Sequence, residues 1–455
     1  MHGSSKRDAS HFSYFFDIPF YSYPKLSYMF DLDTDFTPSA GSSYSVSEPE
    51  VNIFTNYVSA NPAPAPKAPS ISKPSLEDYL SSVSALVCLS HLRWDFVYQR
   101  PQHLLSRFAK HTPLFFFEEP LFFDGATPQL AISTREGNVT IAVPHLPHGL
   151  TPSEIEAEQR NMIDKFLKER KLKNYVLWYY TPMALEFSRH LTPALTVFDC
   201  MDELSAFKFA PPRLVELEAE MMAKADVVFT GGQSLYEAKK DRHKEVYAFP
   251  SSIDKAHFAQ ARQLQEEPAD QANIPHPRMG FFGVVDERFD IELLREVSEA
   301  RPEWQFVIIG PVVKIDPEVL PKNKNIHYLG GKTYNELPAY LAGWDVAMLL
   351  FAHNESTKYI SPTKTPEYLA AGKPVVSTSI RDVVRPYGEQ NLVHIADGAA
   401  AFEQAIEKAL IQKDDLGWMR RTDDFLTTIS WDKTWRNMVR LMQCISEEKK
   451  SNSKK

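Results

Sequence analysis

The strongest constraint on this 455-residue chain is a strand and helix alternation that runs through it twice, either side of a polar break. Short apolar runs bounded by turn residues read as strands buried on both faces. The first set is SALVCLS (84–90), PLFFFEE (113–119), YVLWYY, ALTVFDC, DVVFT and VYAFP. Between these strands the spacing predicts helices opening at Arg100 and over 182–190, 212–224 and 233–241. Pro101 falls in a first turn, where its missing N–H costs nothing. LAISTREGNVTIAV (130–143) alternates about Gly137-Asn138 and predicts a hairpin.

QLQEEPADQANIPHPR (263–278) is polar and proline-bearing, and after it the alternation restarts. RMGFFG, WQFVIIG, NIHYLG, DVAMLLF, PVVST and NLVHIA read as strands, with DIELLREVSEA, NELPAYLAG and PEYLAAG as helices. Helices are expected over 398–412 and 414–428, and a last one from Trp431 to about Glu447. Alternation of this kind implies right-handed crossovers, parallel sheets and helices on both faces. The expected class is therefore α/β, with two doubly wound domains facing one cleft, where strand carboxyl ends gather ligands. The expected limits are 81–272, 273–430 and a crossing helix 431–447.

Residues 1–80 follow no period, and NPAPAPKAPSISKPS (61–75) reads as an extended linker, so a disordered extension is expected. Its Phe12, Tyr14, Phe15, Phe16 and Phe20 read either as an unconstrained tail or as a docking segment for a protein or a membrane surface.

A net charge of −9 argues against a general nucleic-acid binder. Cys88, Cys200 and Cys444 are far apart and form no C-x-x-C, which argues against a disulfide framework or zinc site and fits a reducing compartment. No run reaches the roughly 20 apolar residues of a spanning helix. The first residues, interrupted by Asp17, do not read as a signal peptide. The expected location is cytoplasmic, with peripheral contact at the inner membrane face through the extension.

Gly283 closes the strand RMGFFG, and VVDERFD leads toward a helix. A glycine there lets backbone approach a diphosphate, the helix N-terminus favours anions, and Arg288 adds a charge. In SPTKTPEYLAAGKPVV (361–376), Thr363 or Thr365 can cap a helix, Lys364 sits at its mouth and Glu367 lies in its first turn. Lys364 can meet a diphosphate, and Glu367 can accept from vicinal ribose hydroxyls. Equally, Glu367 can complement the helix N-terminus while Lys364 stays solvated. In VFDCMDELSAF, Asp199 and Asp202 end a strand. Asp202 is a candidate base or acceptor-orienting group, or else a helix cap. Arg100, at a helix start, can clamp an anionic group on acceptor or donor, and Asp199 is assigned to the acceptor side. His91, just after the first strand, is a second cleft candidate, while His103 reads as a partly buried histidine. No carboxylate cluster has metal spacing, so neither metal nor cofactor is expected and the phosphates fall to Lys364, Arg288 and helix N-termini.

These motifs resemble glycosyltransferases of the GT-B type, near family 4. GFFG, FVIIGP, HYLGG, WDVAMLLF and PTKTPEYLAAGKPVV follow that family's order, and the likeness extends through HLRWDFVYQRPQHLL, TVFDCMDELSAF, ADVVFTGGQSL, FPSSID and SWDKTW. It covers roughly 84–446 and is particularly similar to bacterial wall- and capsule-polysaccharide transferases of the teichuronic acid type. It implies two Rossmann-like domains, a nucleotide-diphosphate sugar donor, a saccharide or lipid-linked acceptor and retention of configuration. Glu367 matches the ribose-binding second acid, and Lys364 the diphosphate-binding lysine of a P-x-K-x-x-E variant. Tyr359 stands eight residues before Glu367, where the first acid would be, and the nearest acid is Glu355. Groups in NESTKYIS (354–361) are expected to replace that acid. The alternatives are a nucleotide-sugar epimerase of the same fold, which needs paired acids and a histidine, and a non-catalytic scaffold.

Overall fold

The computed structural model describes residues 75–264 and 266–452. The expectations for residues 1–74 lie outside the described residues. Strands β1 (Ala85–Leu89), β2 (Leu114–Phe117), β3 (Leu121–Phe123), β4 (Gln129–Arg135), β5 (Val139–Pro147), β6 (Tyr175–Tyr179), β7 (Leu195–Cys200), β8 (Val227–Thr230) and β9 (Val246–Ala248) form one sheet. Its order is β3-β5-β2-β1-β6-β7-β8-β9, with β4 antiparallel on β5 and the other pairings parallel. Every residue of β1, β2, β6, β7 and β8 is buried, as their unbroken apolar runs require.

The second sheet holds β10 (Arg278–Phe282), β11 (Gln305–Ile309), β12 (Ile326–Tyr328), β13 (Val346–Leu349), β14 (Val375–Ser377) and β15 (His394–Ile395). Its order, β12-β11-β10-β13-β14-β15, is parallel throughout and doubles back at β10. Ligands collect outside the carboxyl ends of strands at such a switch point.

The structure corrects four expectations. An 18-residue helix, Pro152–Glu169, was not foreseen. Its apolar positions are sparse, and its start is fixed by local chemistry: the Thr151 hydroxyl and Glu154 carboxylate form a reciprocal cap before Pro152. A helix Leu76–Ser82 lies inside the supposed extension, with Tyr79 and Leu80 buried in the first core. The Tyr79 and Ser446 hydroxyls lie 3.0 Å apart, so this helix belongs to the folded body.

The boundary between the halves comes some twenty residues early. Phe249 packs on the first core, whereas Ile253, Phe258 and Ala261 already belong to the second. The polar segment 263–278 is thus internal to the second half, where the Trp344 indole N–H donates to Gln271 at 2.9 Å. Finally, the last helix runs Trp431–Asn452. Its Trp431, Met438, Val439 and Met442 are buried in the first core, each burial contributing roughly 1.5–3 kcal/mol.

The halves also meet directly. Asp382 accepts the backbone N–H of Gln233 at 2.8 Å and of Ser234 at 3.1 Å, opening the helix Gln233–Lys239 of the other half. Among the described helices none is long and apolar enough to cross a membrane.

Candidate active site

A cleft of about 770 Å³ lies between the strand ends of the two sheets and takes lining residues from both halves. Its carboxy-terminal wall is built where β10 stops. Gly283 follows that strand with φ +145°, a conformation costly for any residue with a Cβ. A Cβ at Gly283 would overlap the Lys364 side chain, so the lysine lies directly across this glycine. Gly310, after β11, has φ +142°, and a Cβ there would overlap the Gly283 carbonyl. Two strand ends are thereby drawn together beneath the lysine.

Lys364 opens the helix Lys364–Ala370. Its Nζ lies 5.8 Å from the Phe281 ring centroid and 5.9 Å from that of Phe351. No hydrogen bond to Nζ is found among the described residues. Burial pushes its pKa below the ordinary lysine value, and Arg288 adds to the shift. Glu367, one turn on, is only 5% exposed, and burial pushes its carboxyl up while Lys364 opposes the shift. The helix is pinned to β10 by the Phe282 N–H donating to the Tyr368 hydroxyl at 3.0 Å. A cation and a carboxylate thus face one cleft, desolvated and without hydrogen-bonding partners among the described residues. Such groups call for a ligand that supplies negative charge at one end and hydroxyl donors at the other.

Residues 276–412, which contain this whole wall, match the family of glycosyl transferases group 1. The chain is a GT-B glycosyltransferase. It is 21% identical over 283 residues to a protein of Bacillus subtilis (strain 168) named a teichuronic acid biosynthesis glycosyltransferase, TuaH; the match spans 58% of this chain and 70% of that one. The fold recurs in the sucrose-phosphate synthase of Thermosynechococcus elongatus, with a TM-score of 0.58 at 14% identity over 80% of this chain and 99% of the other. It recurs again in the UDP-forming alpha,alpha-trehalose-phosphate synthase of Burkholderia vietnamiensis, with a TM-score of 0.59 at 14% identity over 80% and 98%.

The glycosyltransferase distributes the other candidates unevenly. Arg288 lines the cleft but is held by Asp286, with Nε to Oδ1 at 3.0 Å and Nη2 to Oδ2 at 2.7 Å. Its guanidinium also lies 5.3 Å from the Phe207 ring, which the amino-terminal half supplies. The helix N-terminus expected beside it is not a phosphate seat. The helix Ile291–Ala300 is capped by its own Asp290, which accepts from Leu293 N–H at 2.9 Å, and Asp290 does not line the cleft. Asp202 does line it; burial raises its pKa and Arg288 opposes the rise.

Arg100 lines the cleft and Asp199 does not, and the two side chains are closed on each other. They are 3% and 0% exposed and bond each other through Nη2 to Oδ1 at 2.8 Å, while Arg100 Nη1 donates to the Phe249 carbonyl at 2.7 Å. With Nε also on Asp199, these bonds occupy three of its five N–H donors, and drawing the side chain away would leave a buried carboxylate unpaired. His91 lies off the cleft wall, its Nδ1 buried without a described hydrogen-bond partner and its pKa lowered to about 4, chiefly by burial. An imidazole so lowered is uncharged at neutral pH, and it is not part of the cleft lining. Tyr359 packs against the core of the amino-terminal half, and Glu355 is 77% exposed with Lys358 at 3.9 Å. Neither lines the cleft. Ile360, Ser361 and Pro362 line it in their place, and Ser361 is tied to Ser251 through a hydroxyl-to-carbonyl bond of 2.5 Å. His103, expected to be partly buried, is fully buried; it stacks on Trp431 at 4.6 Å, and its Nε2 has no hydrogen-bonding partner among the described residues.

Sequence reasoning missed Trp94, Tyr98 and Tyr334, all on the cleft wall. The signal for Tyr334 was present in GGKTYNEL. Thr333 and Glu336 are spaced as a cap, which fixes the residue between them, and the Thr333 N–H donates to Glu336 at 2.8 Å.

Proposed function

We propose that the enzyme moves a sugar from a nucleoside-diphosphate donor to a saccharide or lipid-linked acceptor in polysaccharide or cell-envelope biosynthesis. The observation that carries this reading is Lys364 laid across Gly283 with Glu367 one turn behind it. Lys364 meets the diphosphate, and Glu367 accepts from the ribose hydroxyls. Arg288, held in place by Asp286, adds positive charge on the phosphate side. As the bond from the anomeric carbon to the diphosphate breaks, negative charge grows on the leaving oxygen, and a fixed cation there lowers the barrier. No metal is required in this scheme. Asp202, across the cleft, orients the acceptor hydroxyl. The polysaccharide assignment is supported by the likeness to TuaH, and the donor class by an E. coli trehalose-6-phosphate structure bound with UDP-2-fluoro glucose that shares the fold, with a TM-score of 0.58 at 13% identity. We take the product to retain the donor's configuration, the enzyme to be cytoplasmic and peripheral to the inner membrane face, and residues 1–74 to make the contact with membrane or partner.

Calorimetric titration of uridine, guanosine and adenosine diphosphates and their nucleosides tests the seat. One diphosphate should bind the parent. Lys364→Ala should lose that diphosphate and keep its nucleoside, because the lysine is assigned to phosphate alone. Equal losses of both ligands, or no binding by the parent, would defeat the assignment. NMR of the product's anomeric proton decides the stereochemistry, and inversion would make Asp202 the base.

A further inference from the structure

Beside the donor seat, on which this inference rests, lies Tyr334. Its ring is sandwiched. His257, on the helix Lys255–Ala259, stacks on it at 4.1 Å and 8°. Tyr98, from the amino-terminal half, stacks on it at 4.4 Å and 27°. The His257 ring nitrogen Nε2 lies 3.0 Å from the Tyr334 carbonyl, which fixes the residue at its backbone too. Despite this hold, the Tyr334 hydroxyl is buried with no hydrogen-bonding partner among the described residues. Buried tyrosine hydroxyls ordinarily find one, so an orphan on a cleft wall marks a place where a ligand completes the bond. Tyr334 and Glu367 line the same cleft, and the Glu367 charge is felt at the Tyr334 phenol. Tyr98, 43% exposed, is the member of the stack that can shift to admit a ligand.

We propose that Tyr334 is a donor-contact residue whose hydroxyl hydrogen-bonds the nucleoside portion of the donor beside Glu367, with Tyr98 of the amino-terminal half clamping its ring.

The test uses the full chain and whichever of uridine, guanosine and adenosine diphosphate binds it. Tyr334→Phe keeps the stack and removes only the hydroxyl. It should weaken the diphosphate and its nucleoside by the same factor, about tenfold for one hydrogen bond. The unfolding temperature of the empty variant should be unchanged or higher, since an unsatisfied buried hydroxyl has been removed. Tyr98→Ala should weaken both ligands in the same sense. If Tyr334→Phe binds like the parent while Glu367→Ala does not, this inference fails and the donor seat stands. If both bind like the parent, the donor seat itself is wrong. A Tyr334→Phe variant that melts lower when empty and binds weakly would make the hydroxyl a packing group and overturn the proposal.

Discussion

At the strand ends of the amino-terminal sheet, Arg100 and Asp199 are buried together and satisfy each other. At the strand ends of the carboxy-terminal sheet, Glu367 is nearly as deeply buried and Lys364 partly so, yet no hydrogen bond to either side-chain charge is found among the described residues. The sequence presents the two pairs in a similar guise, as opposite charges near strand ends and helix starts. What separates scaffold from site is whether the protein itself supplies the counter-charge. A pair that closes on itself spends its electrostatic energy on the fold, whereas an open pair holds that energy for a ligand.

The sharpest way to break the comparison is Arg100→Met. It leaves Asp199 charged and buried, and unfolding in urea should show a loss of about 3–5 kcal/mol, much of it restored by adding Asp199→Leu. An Arg100→Met protein as stable as the parent but defective with acceptor would return the pair to the acceptor site.

Glu367→Ala should cost about 2–4 kcal/mol in nucleotide affinity, the value of two charge-assisted hydrogen bonds, measured by calorimetry. Its effect on the empty protein has the opposite sign to that of Arg100→Met. Burial raises the Glu367 carboxyl above the unfolded value of about 4.3. The native state therefore holds the proton longer, and this residue's contribution to stability falls as pH rises from that value through the folded one. Glu367→Gln should flatten that part of the stability curve, and an unchanged curve would show that the carboxylate is not strained.

Asp202→Asn tests the cleft wall facing the seat. Turnover should fall by about a hundredfold, the low end for a positioned acid or base, with donor affinity within about twofold of the parent. A large loss of donor affinity would place Asp202 on the donor side.

The mildest effect is a displaced pH profile. Burial lowers the Lys364 pKa, and only the cation holds a diphosphate. kcat/KM for the donor, which reports the free enzyme, should therefore decline below the ordinary lysine range near about 10.4. Lys364→Arg should move the decline upward, because guanidinium keeps its proton. A parent profile flat to that pH would deny the lysine its role.

Much of the fold was legible because fully buried parallel strands must be continuous apolar runs: SALVCLS, YVLWYY and WQFVIIG admit little else. The helix Pro152–Glu169 was not, since its surface is mostly polar and only five of its side chains are buried. The boundary between halves was misread for a related reason. Proline and polar residues at 263–278 look like linker text, but Gln271 and Arg278 are buried and hydrogen-bonded inside the second half. In the site, Lys364 and Glu367 share one short helical turn and Gly283 closes a strand, so the sequence could single them out, while the roles proposed for them come from the resemblance. Tyr359 and Glu355 were placed by counting back from Glu367, and counting says nothing about direction: the loop sends one side chain into the neighbouring core and the other into solvent.

The sequence by itself determined two doubly wound halves, the helix that returns to the first of them, and which turn carries the lysine and glutamate, because these depend on residues within one or two turns of each other. Only the tertiary structure decided that Arg100 answers Asp199, ninety-nine positions away, and that Tyr98 and Tyr334 meet face to face across the halves. Periodicity states that a side chain is buried. It cannot state beside what, and at short range that partner decides whether a buried charge or hydroxyl is spent on the fold or left for a substrate.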